Sequence, residues 1–151
     1  MKNSKFKIQN LLKAFCIFFF VFLISCVTGS IPNLDEPQCA ESREMVKKFY
    51  SIHFDGRMLF SKENLKLQER FLSPEFYTSL ENLQTENDVF TTNSADIPRA
   101  FRLGNCKLIE TNKTNVEILL LWRNESESRQ QIINAEVINQ NDKWLINKIL
   151  R

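Results

Sequence analysis

The single histidine of this chain, His53, is the first residue to consider for acid–base chemistry. Tyr50 precedes it by three positions and therefore shares its face of a predicted helix. The imidazole could act as a general base or contact a ligand, but a base needs a placed partner, and no second histidine is present. The alternative, which we prefer, is a structural histidine at a helix end, close to the last backbone carbonyls.

Three further residues, Tyr77, Asp96 and Trp122, complete a candidate pocket with Tyr50 and His53. Asp96 precedes an Ile-Pro pair, so it fits a turn-initiating side chain at least as well as an acid catalyst. The chain has no Gly-x-Ser-x-Gly, His-Glu-x-x-His, Cys-x-x-Cys or phosphate-loop motif. We therefore assign no catalytic residue, no metal ligand and no cofactor.

The N-terminal segment has the pattern of a secretory signal peptide, since four lysines precede an uncharged run that ends in Leu-Ile-Ser, directly before Cys26. The uncharged run, residues 14–25, is too short to cross a bilayer, which needs about 20 residues. The position of Cys26 resembles the lipobox of bacterial lipoproteins, in which cleavage exposes the cysteine and its thiol is acylated. That resemblance implies a mature chain anchored in a membrane through Cys26. An ordinary signal peptide with an incidental cysteine is the alternative.

This interpretation divides the chain into a signal peptide (1–25), a lipidated tether (26–36) and a single domain (37–151). It predicts a protein of the bacterial cell envelope, anchored to a membrane on the extracytoplasmic side. Cleavage removes four lysines and leaves 16 basic against 18 acidic residues. A slightly acidic mature chain gives no reason to expect a nucleic-acid or anionic-lipid partner.

Helical spacing and capping residues predict three helices in the first half of the domain. The first covers residues 37–54 and ends at Gly56, where a left-handed backbone is easily adopted. Ser61 fits the N-cap of a second, shorter helix. Ser73, followed by proline, caps a third helix through Leu83.

A polar loop of residues 84–98 follows, and then alternating apolar residues predict strands. The predicted strands cover residues 101–111, 116–123, 130–139 and 143–150. Their short connections favour an antiparallel meander. Helices followed by strands predict an α+β domain, with N-terminal helices packed on a curved antiparallel sheet of about four strands.

The order of several short segments resembles the nuclear-transport-factor-two-like, or cystatin-like, α+β cone. The segments are Phe-Tyr-Ser-Ile-His-Phe at 49–54, Phe-Leu-Ser-Pro-Glu-Phe-Tyr at 71–77, Asp-Ile-Pro at 96–98 and Lys-Trp-Leu-Ile-Asn-Lys-Ile at 143–149. More narrowly, they are similar to a bacterial family of small secreted lipoproteins of unknown function. The resemblance implies a cone-shaped cavity and no assigned activity. In the isomerases of this superfamily a tyrosine and acidic residues line the cone, whereas the corresponding strand positions here carry Leu, Ile, Val or Asn.

These observations favour a non-enzymatic module that holds a small apolar ligand in the cone or presents its sheet to an envelope protein. The alternative is a small isomerase or hydrolase that uses Tyr50, His53 or Asp96.

Cys39 and Cys106 are predicted to form a disulfide. Cys16 leaves with the signal peptide and Cys26 is acylated, so these two thiols remain in a compartment that permits oxidation. Cys39 lies in the first turn of the long helix and Cys106 in the first strand, and a helix on the sheet brings them within reach. The alternative is a pair of buried free cysteines.

Overall fold

The computed structural model describes residues 37–56, 58–123 and 128–151. Cys26, the predicted signal peptide and the predicted tether lie outside the described residues. Within the described part of the chain, no helix combines the length and the apolar character needed to cross a membrane.

Three α-helices occupy the first half of the domain, and their ends follow the capping signals of the sequence. They are α1 (Pro37–Phe54), α2 (Lys62–Gln68) and α3 (Pro74–Glu81), and a 3₁₀ turn (Glu69–Phe71) follows α2. The hydroxyl of Ser61 accepts the backbone N–H of Asn64, and that of Ser73 accepts the N–H of Phe76. Gly56 has a φ of 85°, the left-handed conformation expected after a helix end.

Four antiparallel strands form one open sheet with the order β1-β2-β3-β4. They are β1 (Ala100–Glu110), β2 (Lys113–Arg123), β3 (Ser128–Gln140) and β4 (Lys143–Leu150). The α+β class and the antiparallel meander are therefore confirmed. Strand β2 starts three residues before the predicted Val116. The alternation of the strand extends through these residues, since Thr114 is buried while Lys113 and Asn115 are half-buried on the opposite face.

The hydrophobic core lies between α1 and the inner face of the sheet. Alternation places Val116, Ile118 and Leu120 of β2 on this face, each fully buried. Phe49 and Tyr50 of α1 pack against them and are also fully buried. Burial of such a side chain contributes about 1.5–3 kcal/mol, so this layer positions α1 firmly on the sheet.

The predicted disulfide between Cys39 and Cys106 is present and joins the first turn of α1 to β1. The two Cα atoms are 5.7 Å apart, within the usual range for a disulfide. The bridge spans 67 positions of sequence and therefore connects the helical half of the domain to the sheet.

The outer face of the sheet is the face opposite the helices. Leu119 of β2 pairs with Ile132 of β3 on this face, and Ile132 is 56% exposed. Leu121 pairs with Gln130 beside them. The further apolar members of the outer face are Ile138, Leu145 and Leu150.

Candidate functional site

The imidazole of His53 is buried in the core and binds two side chains. Its Nε2 lies 2.9 and 3.0 Å from the carboxylate oxygens of Asp88, and its Nδ1 lies 2.9 Å from the amide nitrogen of Gln68. His53, Asp88 and Gln68 are each 2% exposed or less. His53 lies in the last turn of α1, as predicted, and its ring takes part in a buried side-chain network that the prediction did not include.

The partners of His53 indicate which ring nitrogen donates and which accepts. The amide nitrogen of Gln68 can only donate, so Nδ1 accepts, and we assign the proton to Nε2, which donates to Asp88. Asp88 also accepts the backbone N–H of Phe90 at 3.0 Å and the hydroxyl of Thr91 at 2.8 Å. The carboxylate of Asp88 thus accepts hydrogen bonds from three donors, the His53 ring, the Phe90 backbone and the Thr91 hydroxyl.

Tyr50 adds a second buried link to the same segment. Its hydroxyl donates to the backbone carbonyl of Phe90 over 2.6 Å. Burial raises the pKa of Tyr50 far above its usual value of 10, and the nearby charge of Asp88 raises it further, while Arg151 acts in the opposite direction. Tyr50 is therefore a neutral donor at physiological pH.

These contacts position the loop between α3 and β1. Tyr50 and His53 lie three residues apart and face the loop from the same side of α1. The guanidinium of Arg151, just after β4, donates to the carbonyls of Val89 and Thr91. We call His53, Gln68, Asp88, Thr91 and Tyr50 the buried cluster; it attaches the loop to two helices, and Arg151 attaches it to the sheet.

Aromatic rings enclose the buried cluster. Phe49 stacks on the His53 ring with centroids 5.6 Å apart, and Phe90 meets it edge-on at 5.3 Å. An imidazole beside a carboxylate is a chemically competent acid–base pair. Here each group of the pair is enclosed and already hydrogen-bonded to protein, so the arrangement acts as a structural anchor for the loop.

The other candidate pocket residues lie elsewhere. The indole N–H of Trp122 donates to the carbonyl of Asp96 over 3.2 Å, and the Asp96 carboxylate pairs with Arg129 at 2.6 Å. The Arg129 guanidinium also stacks on the Trp122 ring, 4.2 Å from its centroid. Asp96 is thus a largely exposed ion-pair partner of β3.

Tyr77 is half-buried on α3, and its electrostatic neighbours are charged groups of α2, α3 and the 3₁₀ turn. Loss of hydration, and then the carboxylate of Glu81, raise the pKa of Tyr77 above its usual value. Of the five candidate pocket residues, Tyr50 and His53 therefore lie together, Asp96 and Trp122 lie together at a second site, and Tyr77 lies apart from both pairs.

Sequence reasoning missed Asp88, Gln68 and Arg151. Asp88 falls in a polar segment without periodicity, and the one available signal was the apolar pair Val89 and Phe90 beside it, both of which are buried. No spacing rule connects residues 35 positions apart, such as His53 and Asp88.

A shallow depression of about 210 Å³ lies between α3, the loop and the end of β4. It is lined by Phe76, Leu80, Leu83, Thr85, Val89, Asn93, Ile149 and Arg151. None of the five candidate pocket residues contributes to it. Among the described residues, no group of three or more His, Cys, Asp or Glu side chains is arranged to hold a metal ion.

The buried Tyr50 predicts a loss of stability at alkaline pH. The pKa of Tyr50 is raised in the folded state, so its full contribution to the free energy of unfolding is present below the unfolded-state pKa of about 10. Above that pH the free energy of unfolding falls by up to about 1.4 kcal/mol per pH unit. Denaturant titrations at several alkaline pH values measure this loss, and Tyr50→Phe should remove the added pH dependence. The chain has two tyrosines, so absorbance should show Tyr77 ionising first and Tyr50 only on unfolding. Simultaneous ionisation in the folded protein would contradict the prediction.

The described residues thus define an α+β domain with helices on one face of an antiparallel meander and a closed polar cluster in its core. The chain matches no protein-family model. It also matches no curated protein. Among solved structures, the chain is similar to a protein of unknown function from Bacteroides thetaiotaomicron, at 21% identity over 75% of this chain and 91% of that chain, with a TM-score of 0.49. This similarity assigns no activity and no ligand.

Proposed function

We propose that this protein is a membrane-anchored lipoprotein of the bacterial envelope whose domain is a non-enzymatic interaction module. The module acts through the outer face of its sheet. Helices packed on an antiparallel sheet are compatible with the nuclear-transport-factor-two-like cone suggested by the sequence. In this proposal large side chains such as Phe49 and Tyr50 fill the cone, so the partner binds outside it.

The observation that carries the proposal is the contrast between the interior and the outer face. In the interior, His53, Asp88 and Tyr50 are buried and bonded to one another or to the loop. An enzyme needs such groups within reach of its substrate. On the outer face, Leu119 and Ile132 lie side by side, and none of the three described helices packs over them, which is typical of an interaction surface.

The lipid anchor is tested by metabolic labelling with a palmitate analogue. The wild-type protein should carry the label and Cys26→Ala should lose it, because Cys26 is the acylated residue in this proposal. Ser25→Cys combined with Cys26→Ala provides a matched control, since it keeps a thiol one position away from the lipobox site. An unlabelled wild-type protein would overturn the anchor.

The outer face is tested by photo-crosslinking in cells, with a photoreactive amino acid in place of Ile132. Leu67 of α2 is a matched control site, because it is 55% exposed but lies on the helical side. We expect crosslinked products from position 132 and few from position 67. Equal yields, or products from position 67 alone, would contradict the proposed surface.

A further inference from the structure

The three carboxylates that the described strands place on the outer face of the sheet are engaged within the protein. Glu110 pairs with Lys113 at 3.5 Å. Glu117 accepts the backbone N–H of Asn105 at a bulge of β1, where its side chain occupies the space that a Cβ at Gly104 would need. Glu136 accepts the side-chain amide of Asn147 at 2.8 Å. The acidic groups of this face are therefore neutralised or hydrogen-bonded locally.

Apart from Lys113, the described cations of the outer face are not engaged in this way. Register and alternation place five exposed cations on it, drawn from β1, β2 and β4, none in an ion pair within the described residues. They are Arg102, Lys107, Arg123, Lys143 and Lys148. Apolar side chains lie among them, with Arg102 directly opposite Leu119. The outer face is therefore a broad surface that combines free positive charge with exposed apolar groups.

The distribution of charge along the chain agrees with this surface. Residues 99–151, which contain the sheet, have nine Lys or Arg against six Asp or Glu. Residues 37–98, which contain the helices, have seven against ten. The sheet half is thus cationic and the helical half anionic, so an anionic plane attracts the first and repels the second.

We propose that the outer face of the sheet docks on the anionic headgroups of the membrane that holds the lipid anchor. This inference rests on the proposed function and identifies the partner of that surface as a lipid bilayer. Lysine and arginine bind headgroup phosphates, while Leu119, Leu121 and Ile132 enter the interface between headgroups and acyl chains.

The tether and the shape of the charge pattern favour a bilayer over an acidic protein. Ten residues lie between Cys26 and Pro37, which limits the reach of an extended chain to roughly 40 Å. The anchored domain therefore stays close to the lipid surface, where its local concentration is high. The free cations are spread over three strands instead of lining a groove, which suits a plane of headgroups.

The test uses the lipidated protein in vesicles of phosphatidylcholine with or without phosphatidylglycerol. An amine-reactive reagent, followed by mass spectrometry, measures the labelling rate of each lysine. On anionic vesicles Lys107, Lys143 and Lys148 should be labelled more slowly than on neutral ones, while Lys47 and Lys62 on the helices should label equally. Salt near 1 M, where the screening length is about 3 Å, should remove the protection.

Charge reversal provides a second measurement. Each cation near an anionic surface strengthens attachment about fivefold, so Lys107→Glu with Lys148→Glu should lower the equilibrium constant for docking more than about 25-fold and abolish protection at Lys143. Lys47→Glu with Lys62→Glu is the matched control and should leave Lys143 protected. Equal labelling on both vesicle types would overturn the docking. Protection that requires native envelope and is absent from anionic vesicles would also overturn it, in favour of a protein partner.

The two proposals fail in different ways. Vesicle flotation measures the anchor separately, because an anchored protein floats on neutral and anionic vesicles alike. A protein that does not float would overturn the anchor and with it this inference. A protein that floats but shows no anionic protection would overturn the docking alone.

Discussion

Replacing Asp88 with alanine should lower the free energy of unfolding by about 3–5 kcal/mol, because it leaves several buried donors without an acceptor. The Nε2–H of His53, the N–H of Phe90 and the hydroxyl of Thr91 all donate to this carboxylate. Water cannot readily replace it, since Asp88 is only 2% exposed. Urea unfolding followed by circular dichroism measures the change.

Asp96→Ala is the matched control for Asp88→Ala. Asp96 lies on the same loop as Asp88. Asp88 pairs with the imidazole of His53 and Asp96 with the guanidinium of Arg129, but the side chain of Asp96 is largely exposed. Exposed ion pairs contribute about 0–1 kcal/mol, so this variant should unfold close to the wild type. If Asp88→Ala lowered the free energy of unfolding as little as Asp96→Ala does, the buried cluster would not stabilise the loop.

A double-mutant cycle separates the pair from its surroundings. His53→Ala and Asp88→Ala together should cost less than the sum of the single changes, with a coupling of about 0.5–3 kcal/mol. This coupling is expected because the two side chains are in direct contact at 2.9 Å. Additive losses would indicate that each residue acts only through its other partners.

Removing the disulfide should lower the free energy of unfolding by about 4 kcal/mol in the chain-entropy model. The physical reason is the 67-position span between Cys39 and Cys106, since opening a loop of this length gives the unfolded chain many more conformations. The double variant Cys39→Ala with Cys106→Ala should show this loss in denaturant titrations.

The reduced wild type provides an independent comparison for the disulfide prediction. It should unfold near the midpoint of the double variant, and reductant should not change the double variant itself. Mass spectrometry of the native mature protein should detect no alkylatable thiol at either position. Two free thiols there, or a wild type unaffected by reductant, would contradict the prediction.

Local signals in the sequence determined the elements of this fold. Ser61 and Ser73 cap helices because their hydroxyls accept backbone N–H groups a few residues ahead, and Gly56 ends α1 because it adopts a left-handed backbone at no cost. Alternation of apolar residues identified the buried face of β2, because neighbouring strand residues point to opposite faces of the sheet. Cysteine counting also identified the pair Cys39 and Cys106, because few thiols remained to choose from.

The tertiary structure alone decided which distant side chains meet. His53 and Asp88 are 35 positions apart, and Arg151 reaches the carbonyl of Val89 across 62 positions. Contacts of this kind depend on the path of an aperiodic loop over the core, for which no spacing rule exists. Strand register likewise decided which cations share the outer face with Leu119 and Ile132, because bulges in β1 and in the pairing of β3 with β4 shift the alternation. The sequence by itself therefore determined the helices, the strands and the disulfide through short-range chemistry, while the closed interior and the composition of the outer face arose only from long-range packing.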